Sequence, residues 1–338
     1  MSDDQNYWKI IDRSKKQFDQ NTNIDSNKIL KKSRHKALTT NILISLAILL
    51  MIVPTLTLLT YFYYGTGDGN GRANKQIEVA SNVIELTEPN MYVKRMELEE
   101  QIDFFSMDLN FDVYKRIGKE EYRVGEYDIN YMLDQPDFPD RNLWLDRPHQ
   151  EIPQKDEASY IIHPLVSVPY EYDREWDIVE SIPDGTVVEA YLSFTDSMDP
   201  DDVKDINPGL DPDIEFLWLA VDTGIEKKVV DDQGLPVTPI GYPIYKDPPN
   251  WTPFDNREDN EVAFTNTLND LEHYESQATK IARAKTLALD ERTDYIQENG
   301  VKIYGAVVTG PAPEIRKLKN NDHVRSLKVG EVKLWNWH

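Results

Sequence analysis

ILISLAILLMIVPTLTLLTYFYY, residues 42–64, sits in a 28-residue run from Ala37 to Tyr64 that carries no charged side chain. A helix rises about 1.5 Å per residue, and a bilayer core about 30 Å thick takes about 20 apolar residues to cross. The run therefore predicts one transmembrane helix over residues 37–64, with some tilt. Pro54 falls mid-span; it removes one backbone donor and predicts a kink of the kind that membrane helices tolerate. Tyr61, Tyr63 and Tyr64 gather at one end, as an interfacial aromatic belt does. A cleaved signal peptide has an apolar region of about 7–15 residues and a small-residue cleavage site. This run is longer, and Tyr63-Tyr64-Gly65 is a poor cleavage site, so the reading is a retained anchor.

The charges on either side give the orientation. Lys28, Lys31, Lys32, Arg34 and Lys36 precede the span, and the next basic residue after it is Arg72. Basic flanks stay in the cytoplasm, which predicts residues 1–36 inside, residues 65–338 outside and a place in the cell membrane. Residues 1–36 hold nine Lys and Arg against five Asp. The whole 338-residue chain has a formal charge of −23, so the outer part is strongly acidic. That disfavours direct binding of nucleic acid, whose phosphates demand a basic footprint. There are no cysteines, which removes disulfides, thiolate metal sites and cysteine nucleophiles together.

The inner segment is short, with room expected for two or three helical turns. Trp8, Ile11 and Phe18 recur at helical spacing and form a narrow apolar face on a charged background. Such a helix is marginal alone in water and either docks in a partner's groove or lies on lipid. Gln20–Asn23 reads as a polar joint, and Lys28–Lys36 as a juxtamembrane cluster that grips anionic headgroups of the lipid bilayer.

The fold class is a single-pass membrane protein. It has a short cytoplasmic segment, one transmembrane helix and an α+β extracytoplasmic region with β–α–β units. Residues 65–76, opened by alternating glycines, read as a flexible linker. Residues 77–135 read as a small β-rich unit, with alternation at Ile77-Glu78-Val79 and at Phe111-Asp112-Val113-Tyr114. Residues 136–180 are a Pro- and Asp-rich connection, and residues 181–338 are a C-terminal α+β domain. Within the latter, Thr186–Thr195 and Ile214–Val221 read as strands around a short helix at Asp199–Ile206. Asn260–Leu289 is the longest helical pattern, followed by a helix from Asp290 to Gly300. Val301–Thr309 is apolar on both faces and reads as a central strand. Gly310-Pro311-Ala312-Pro313 turns into a short helix, and Glu331–Trp337 closes as a strand. Thr186–Asp222 and Val301–Trp337 each run strand, short helix, strand, which suggests a duplication. A four-stranded sheet with helices on one face is the simplest closure.

Chemistry is scarce. The chain contains no HExxH, Walker or Gly-x-Ser-x-Gly pattern. His35, His149, His163, His273, His323 and His338 do not pair at ligand spacing and read as surface or capping residues. Asp108–Asp112 starts like a calcium loop, but Val113 and Lys119 stand where glycine and glutamate are required. Asp199, Asp201, Asp202, Asp205, Asp211 and Asp213 read as capping and solvated surface, with a calcium site as the lesser alternative. The expectation is a protein that is not an enzyme and has no catalytic residues, no cofactor and no metal.

Several stretches resemble a known family. They are Leu50-Met51-Ile52-Val53-Pro54 with Tyr61-Phe62-Tyr63-Tyr64-Gly65, Gly185-Thr186-Val187 with Tyr191-Leu192-Ser193, Phe216-Leu217-Trp218 and Gly241-Tyr242-Pro243. Further along come Asp294-Tyr295, Asn299-Gly300-Val301, Tyr304-Gly305, Val307-Val308-Thr309-Gly310-Pro311 and Val329-Gly330-Glu331-Val332-Lys333-Leu334-Trp335-Asn336-Trp337. Together they are similar to the sigma-factor-regulator family of Gram-positive membrane anti-sigma factors. The resemblance implies a cytoplasmic segment that sequesters an extracytoplasmic-function sigma factor; residues 1–36 match only the membrane-proximal end of the family's longer cytoplasmic part, so the expected contact is direct or through another, co-regulatory membrane protein. It also implies an outer domain that senses envelope state. The alternative is an anchored extracytoplasmic ligand-binding protein or hydrolase with no transcriptional role.

Overall fold

The computed structural model describes residues 3–22, 26–66, 71–144, 161–166, 172–206, 213–228, 237–249 and 251–335. The chain divides into two compact units, Met1–Tyr61 and Phe62–His338.

The first unit is helical. Helix α1, Asp3–Thr22, covers 20 residues, more than the two or three turns expected of the inner segment. It runs on through Gln20, Asn21 and Thr22, so most of the expected polar joint is helix. Asn23 lies outside the described residues. Helix α2, Ser26–Gly65, carries the basic flank and the apolar run in one piece and passes through Pro54 unbroken. From Lys28 to Gly65 it is long and apolar enough to cross a membrane. The hydroxyls of Thr55, Thr57 and Thr60 donate to the carbonyls of Met51, Val53 and Leu56, at 2.7, 2.9 and 2.9 Å. Turned back onto the helix, these hydroxyls expose no unmet donor to an apolar surrounding.

The second unit opens with helix α3, Arg72–Thr87. Helix α3 takes residues 72–76 of the expected linker at 65–76, and Ile77-Glu78-Val79 is helical rather than extended. Gln76, Val79, Ala80, Val83, Ile84 and Thr87 are buried at helical spacing, and Ser81, Asn82, Glu85 and Leu86 between them are buried too, so the helix is covered beyond a single stripe. Three residues of alternation are too few to tell a strand from the start of such a stripe. Six strands follow: β1 (Tyr92–Val93), β2 (Glu99–Asp103), β3 (Ser106–Ile117), β4 (Glu120–Met132), β5 (Gln135–Pro136) and β6 (Asp140–Leu143). They form an antiparallel sheet in the order β1-β3-β4-β5, with β2 also on β3 and β6 also on β4. Alternate residues Met107, Leu109, Phe111 and Val113 of β3 are buried, so the alternation read at Phe111–Tyr114 is that of a half-buried strand.

After helix α4, Tyr172–Ser181, come β7 (Thr186–Met198), α5 (Pro200–Asp205), β8 (Glu215–Val221) and β9 (Ile240–Pro243). Then follow α6 (Asn260–Glu272), α7 (Glu275–Ile281), α8 (Leu289–Asn299), β10 (Ile303–Pro311), α9 (Ala312–Lys317) and β11 (Val324–Leu334). The second sheet runs β11-β7-β10-β8-β9, and every neighbouring pair is antiparallel. It follows that β7 and β8 are parallel to each other with β10 between them. Likewise β10 and β11 are parallel with β7 between them. The two strand–helix–strand stretches are therefore split units that interleave, as in ferredoxin-like arrangements. β9 adds a fifth strand to the expected four.

β10 is central and buried along its whole length, as its two apolar faces require. The expected helix at Asn260–Leu289 is two helices broken at His273-Tyr274. Arg283 and Ala288 then take left-handed φ of 54° and 50°, so the chain turns before α8. Ala288, not Asp290, stands at the N-cap of α8. The closing strand starts seven residues before Glu331.

Candidate functional site

On α1, Trp8 is 66% and Phe18 72% exposed, and Ile11 is half-buried. At about 100° per residue, Tyr7, Ile11 and Phe18 fall within about 40° of one another, with Trp8 about 60° further round. Tyr7, itself 64% exposed, thus belongs to the face, on the edge opposite Trp8, with Phe18 and Ile11 between them. The reading of Trp8, Ile11 and Phe18 missed it, although its spacing of four from Ile11 was visible. The Tyr7 and Trp8 rings meet edge to face at 6.5 Å. Lys28, Lys31, Lys32, Arg34 and Lys36 are all exposed on the first turns of α2 and spread around more than half of its circumference.

The three tyrosines at the end of α2 divide. Tyr61 is exposed, whereas Tyr64 is buried. Tyr63 lies under the Arg72 guanidinium at 4.5 Å. The Tyr64 hydroxyl is 3.2 Å from the Phe105 carbonyl oxygen and 3.3 Å from that of Leu133. Its ring therefore serves the packing of the second unit.

A second constellation is buried where the two sheets of that unit meet. The Lys115 ammonium, on β3, donates to both carboxylate oxygens of Glu189 on β7, each at 3.1 Å, and lies 2.8 Å from the Tyr191 hydroxyl. Both charged side chains are wholly buried. The Asn90 amide donates to Glu189 Oε1 at 2.6 Å, and the Glu331 backbone N–H donates to Oε2 at 3.0 Å. Glu189 thus receives bonds on both oxygens, the condition under which a buried carboxylate is tolerated. Nearby, the Gly118 N–H donates to Thr309 Oγ1 at 2.8 Å, and the Lys119 ammonium pairs with Glu215 at 2.6 Å. The Trp218 indole N–H donates to the Glu85 carbonyl at 2.9 Å. Residues 77–135 and 181–338 are therefore knit through one polar seam. Composition had not revealed it, because an isolated Lys or Glu within a strand carries no sign of its partner.

This seam gives the motif around Gly330 a physical reason. A Cβ there would stand 2.4 Å from Glu189 Oε2 and 2.7 Å from the Tyr191 ring. Gly241 is equally confined, 2.0 Å from the Leu219 carbonyl oxygen and 2.5 Å from the Trp218 ring. These glycines let neighbouring groups close on the backbone.

The histidines are distributed as follows. His35 and His323 are exposed, and His273 caps α6. His163 departs from the surface expectation: it is buried, with its Nδ1 accepting from the Leu165 N–H at 3.2 Å and its Nε2 3.4 Å from Asp222. His149 and His338 lie outside the described residues. Among the described residues no group of three or more His, Asp or Glu is placed to hold a metal ion. Of the acidic cluster, Asp199 pairs with Lys302 at 2.7 Å and stands at the N-cap of α5, and Asp201 and Asp202 lie in its first turn.

The model of the sigma factor regulator N-terminal region matches residues 27–122, and that of the sigma factor regulator C-terminal region matches residues 179–331. Asn90 and Lys115 fall in the first match, and Glu189, Thr309 and Gly330 in the second. No solved structure matches the chain. The probable anti-sigma-M factor YhdL of Bacillus subtilis (strain 168) is 31% identical over 289 residues, covering 85% of this chain and 77% of that relative. With both regulator regions present in order and this similarity along most of its length, the chain belongs to the sigma-factor regulator family.

Proposed function

We propose that this chain is a membrane-anchored negative regulator of an extracytoplasmic-function sigma factor, with its N-terminus in the cytoplasm and an outer region that responds to envelope state. The observation that carries this reading is the apolar face of α1 beside a basic, membrane-flanking helix, in a member of a regulatory rather than catalytic family. Burying Trp8, Ile11 and Phe18 would contribute about 5–9 kcal/mol gross, at about 1.5–3 kcal/mol each. Ordering the helix offsets part of that. Contact by α1 alone is therefore weak, and confinement to the membrane plane raises its effective strength. The buried seam is the route by which a change in one matched region reaches the other.

The test is a regulon reporter read in cells that carry Trp8→Ala or lack residues 1–27. Rising reporter activity at unchanged membrane protein levels supports direct contact. A reporter silent in both strains means that the inner segment adheres to lipid and that any regulation runs through another membrane protein. Capture of a sigma factor from extract by a residue 1–36 peptide separates this reading from an anchored ligand-binding protein or hydrolase.

A further inference from the structure

Two β-turns stand beside the last turn of α2. Phe104 and Phe105 join β2 to β3, and Leu133 and Asp134 join β4 to β5. The turns are bonded to each other, the Leu133 N–H donating to the Phe105 carbonyl at 2.8 Å. Both carbonyls are then within reach of the Tyr64 hydroxyl. The Gln76 amide adds a third tie, donating to the Leu133 carbonyl at 2.8 Å. The tips are thereby held against the segment Phe62–Gly65, where the apolar helix ends.

Their composition is wrong for turns. Phe105 and Leu133 have left-handed φ of 55° and 59°, positions that glycine or asparagine takes at least cost. A residue with a Cβ gives up about 1–2 kcal/mol there. The tips are also exposed and apolar: Phe104 is 50%, Met132 60%, Ile102 37% and Leu133 37% exposed. Leu133 is both strained and exposed, Phe105 is strained and half-buried, and large apolar side chains at such positions gain nothing from water. Asp103 and Asp134 flank them, and these two turns contribute no basic residue.

We infer that these turns form a surface that enters the bilayer interface, with lipid as its partner. This rests on the reading that α2 spans the membrane. Chain continuity selects the occupant: Tyr64 belongs at once to α2 and, through its hydroxyl, to the two turns, so the patch lies where the chain leaves the apolar phase. Aromatic and aliphatic side chains inserted about 5–10 Å into the headgroup boundary are how interfacial segments hold a membrane. With acids at its edge, this surface inserts by apolar burial and not by attraction to anionic lipid. Tyr64 joins the contact to the end of the span, so a change at the membrane surface is felt by the second unit.

The absence of cysteine permits a clean test. Full-length protein carrying Phe104→Cys or Met132→Cys is labelled with an environment-sensitive fluorophore. It is reconstituted into phosphatidylcholine–phosphatidylglycerol vesicles that contain nitroxide-labelled lipid. Leu50→Cys reports the span. Glu120→Cys, at the far end of the β3–β4 ladder and about 35–40 Å along the strand from the tips, reports the solvated outer region. The expected result is blue-shifted, lipid-quenched emission at 104 and 132, unchanged by added salt, with none at 120. If 104 and 132 behave as 120 does while 50 is quenched, the surface is overturned and the anchor stands. A blue shift without lipid quenching assigns the patch to protein–protein contact and also overturns it. If 50 itself escapes quenching, the spanning reading fails and takes the surface with it.

Discussion

Glu85, on the inner side of α3, shows how far burial alone can move a side chain. Desolvation pushes its carboxyl up to about 7 from 4.5, against the pull of the Thr252 hydroxyl and the Arg95 charge. The Thr252 hydroxyl donates to it at 2.7 Å. Because the folded value lies above the unfolded one, the folded state binds the extra proton between them. The stability carried by this group is present below about 4.5 and is lost as pH rises through about 7. A shift of this size corresponds to about 3 kcal/mol. Thermal melts of the full chain in detergent should show a lower Tm at pH 8 than at pH 5. Glu85→Gln, which stays neutral and still accepts from Thr252, should flatten that slope; an unchanged slope would place its origin elsewhere. Gly330 makes a second prediction at this scale. Gly330→Ala sets a methyl group against Glu189 and Tyr191, and overpacking of this kind costs about 1–3 kcal/mol. The loss should appear as a lower denaturant midpoint, with α1 still able to dock.

At the scale of elements, strand β3 presents one ammonium to strand β7. Removing one partner of a buried pair leaves the other charge uncompensated, at about 3–5 kcal/mol. Lys115→Met should therefore destabilise the second unit strongly, and adding Glu189→Gln should recover much of the loss. A double variant as unstable as the single one would show that Lys115 matters by shape and not by charge. Helix α1 makes the complementary case, since on the proposed reading its exposed face serves a partner and not the fold. Tyr7→Ala and Trp8→Ala should leave the melting of the second unit untouched while raising the regulon reporter. A fall in Tm would mean that the helix packs on the protein itself.

Across the whole molecule the charge is divided by the apolar helix, basic before it and acidic after it. That asymmetry predicts that protease added to intact protoplasts digests residues 65–338 and spares residues 1–36. Protection of the C-terminal region would reverse the proposed orientation. No catalytic constellation was found in the sequence, so alanine at His163, His273 or His323 should leave regulation intact as long as the fold survives. His163 is the severe case because it is buried. One variant that folds normally and loses regulation would point to a chemical site.

The apolar helix, its basic flank, the central strand (expected at Val301–Thr309, found at Ile303–Pro311) and the strand–helix–strand order were legible in the sequence. Each rests on a local property: an uncharged run, a charge count, two apolar faces or a short period. The interleaving of β7, β8, β10 and β11 was not legible, because strand order is set by contacts between residues far apart in the chain, from Ile303 with Val221 to Leu334 with Thr186. The start of α3 was misread because a three-residue alternation is common to both periods, and only burial against the sheet selects the helix. Lys115, Glu189, Asn90 and the Glu331 N–H are unremarkable one by one. Their chemistry exists only once the two sheets exclude water between them, and that exclusion belongs to the tertiary structure.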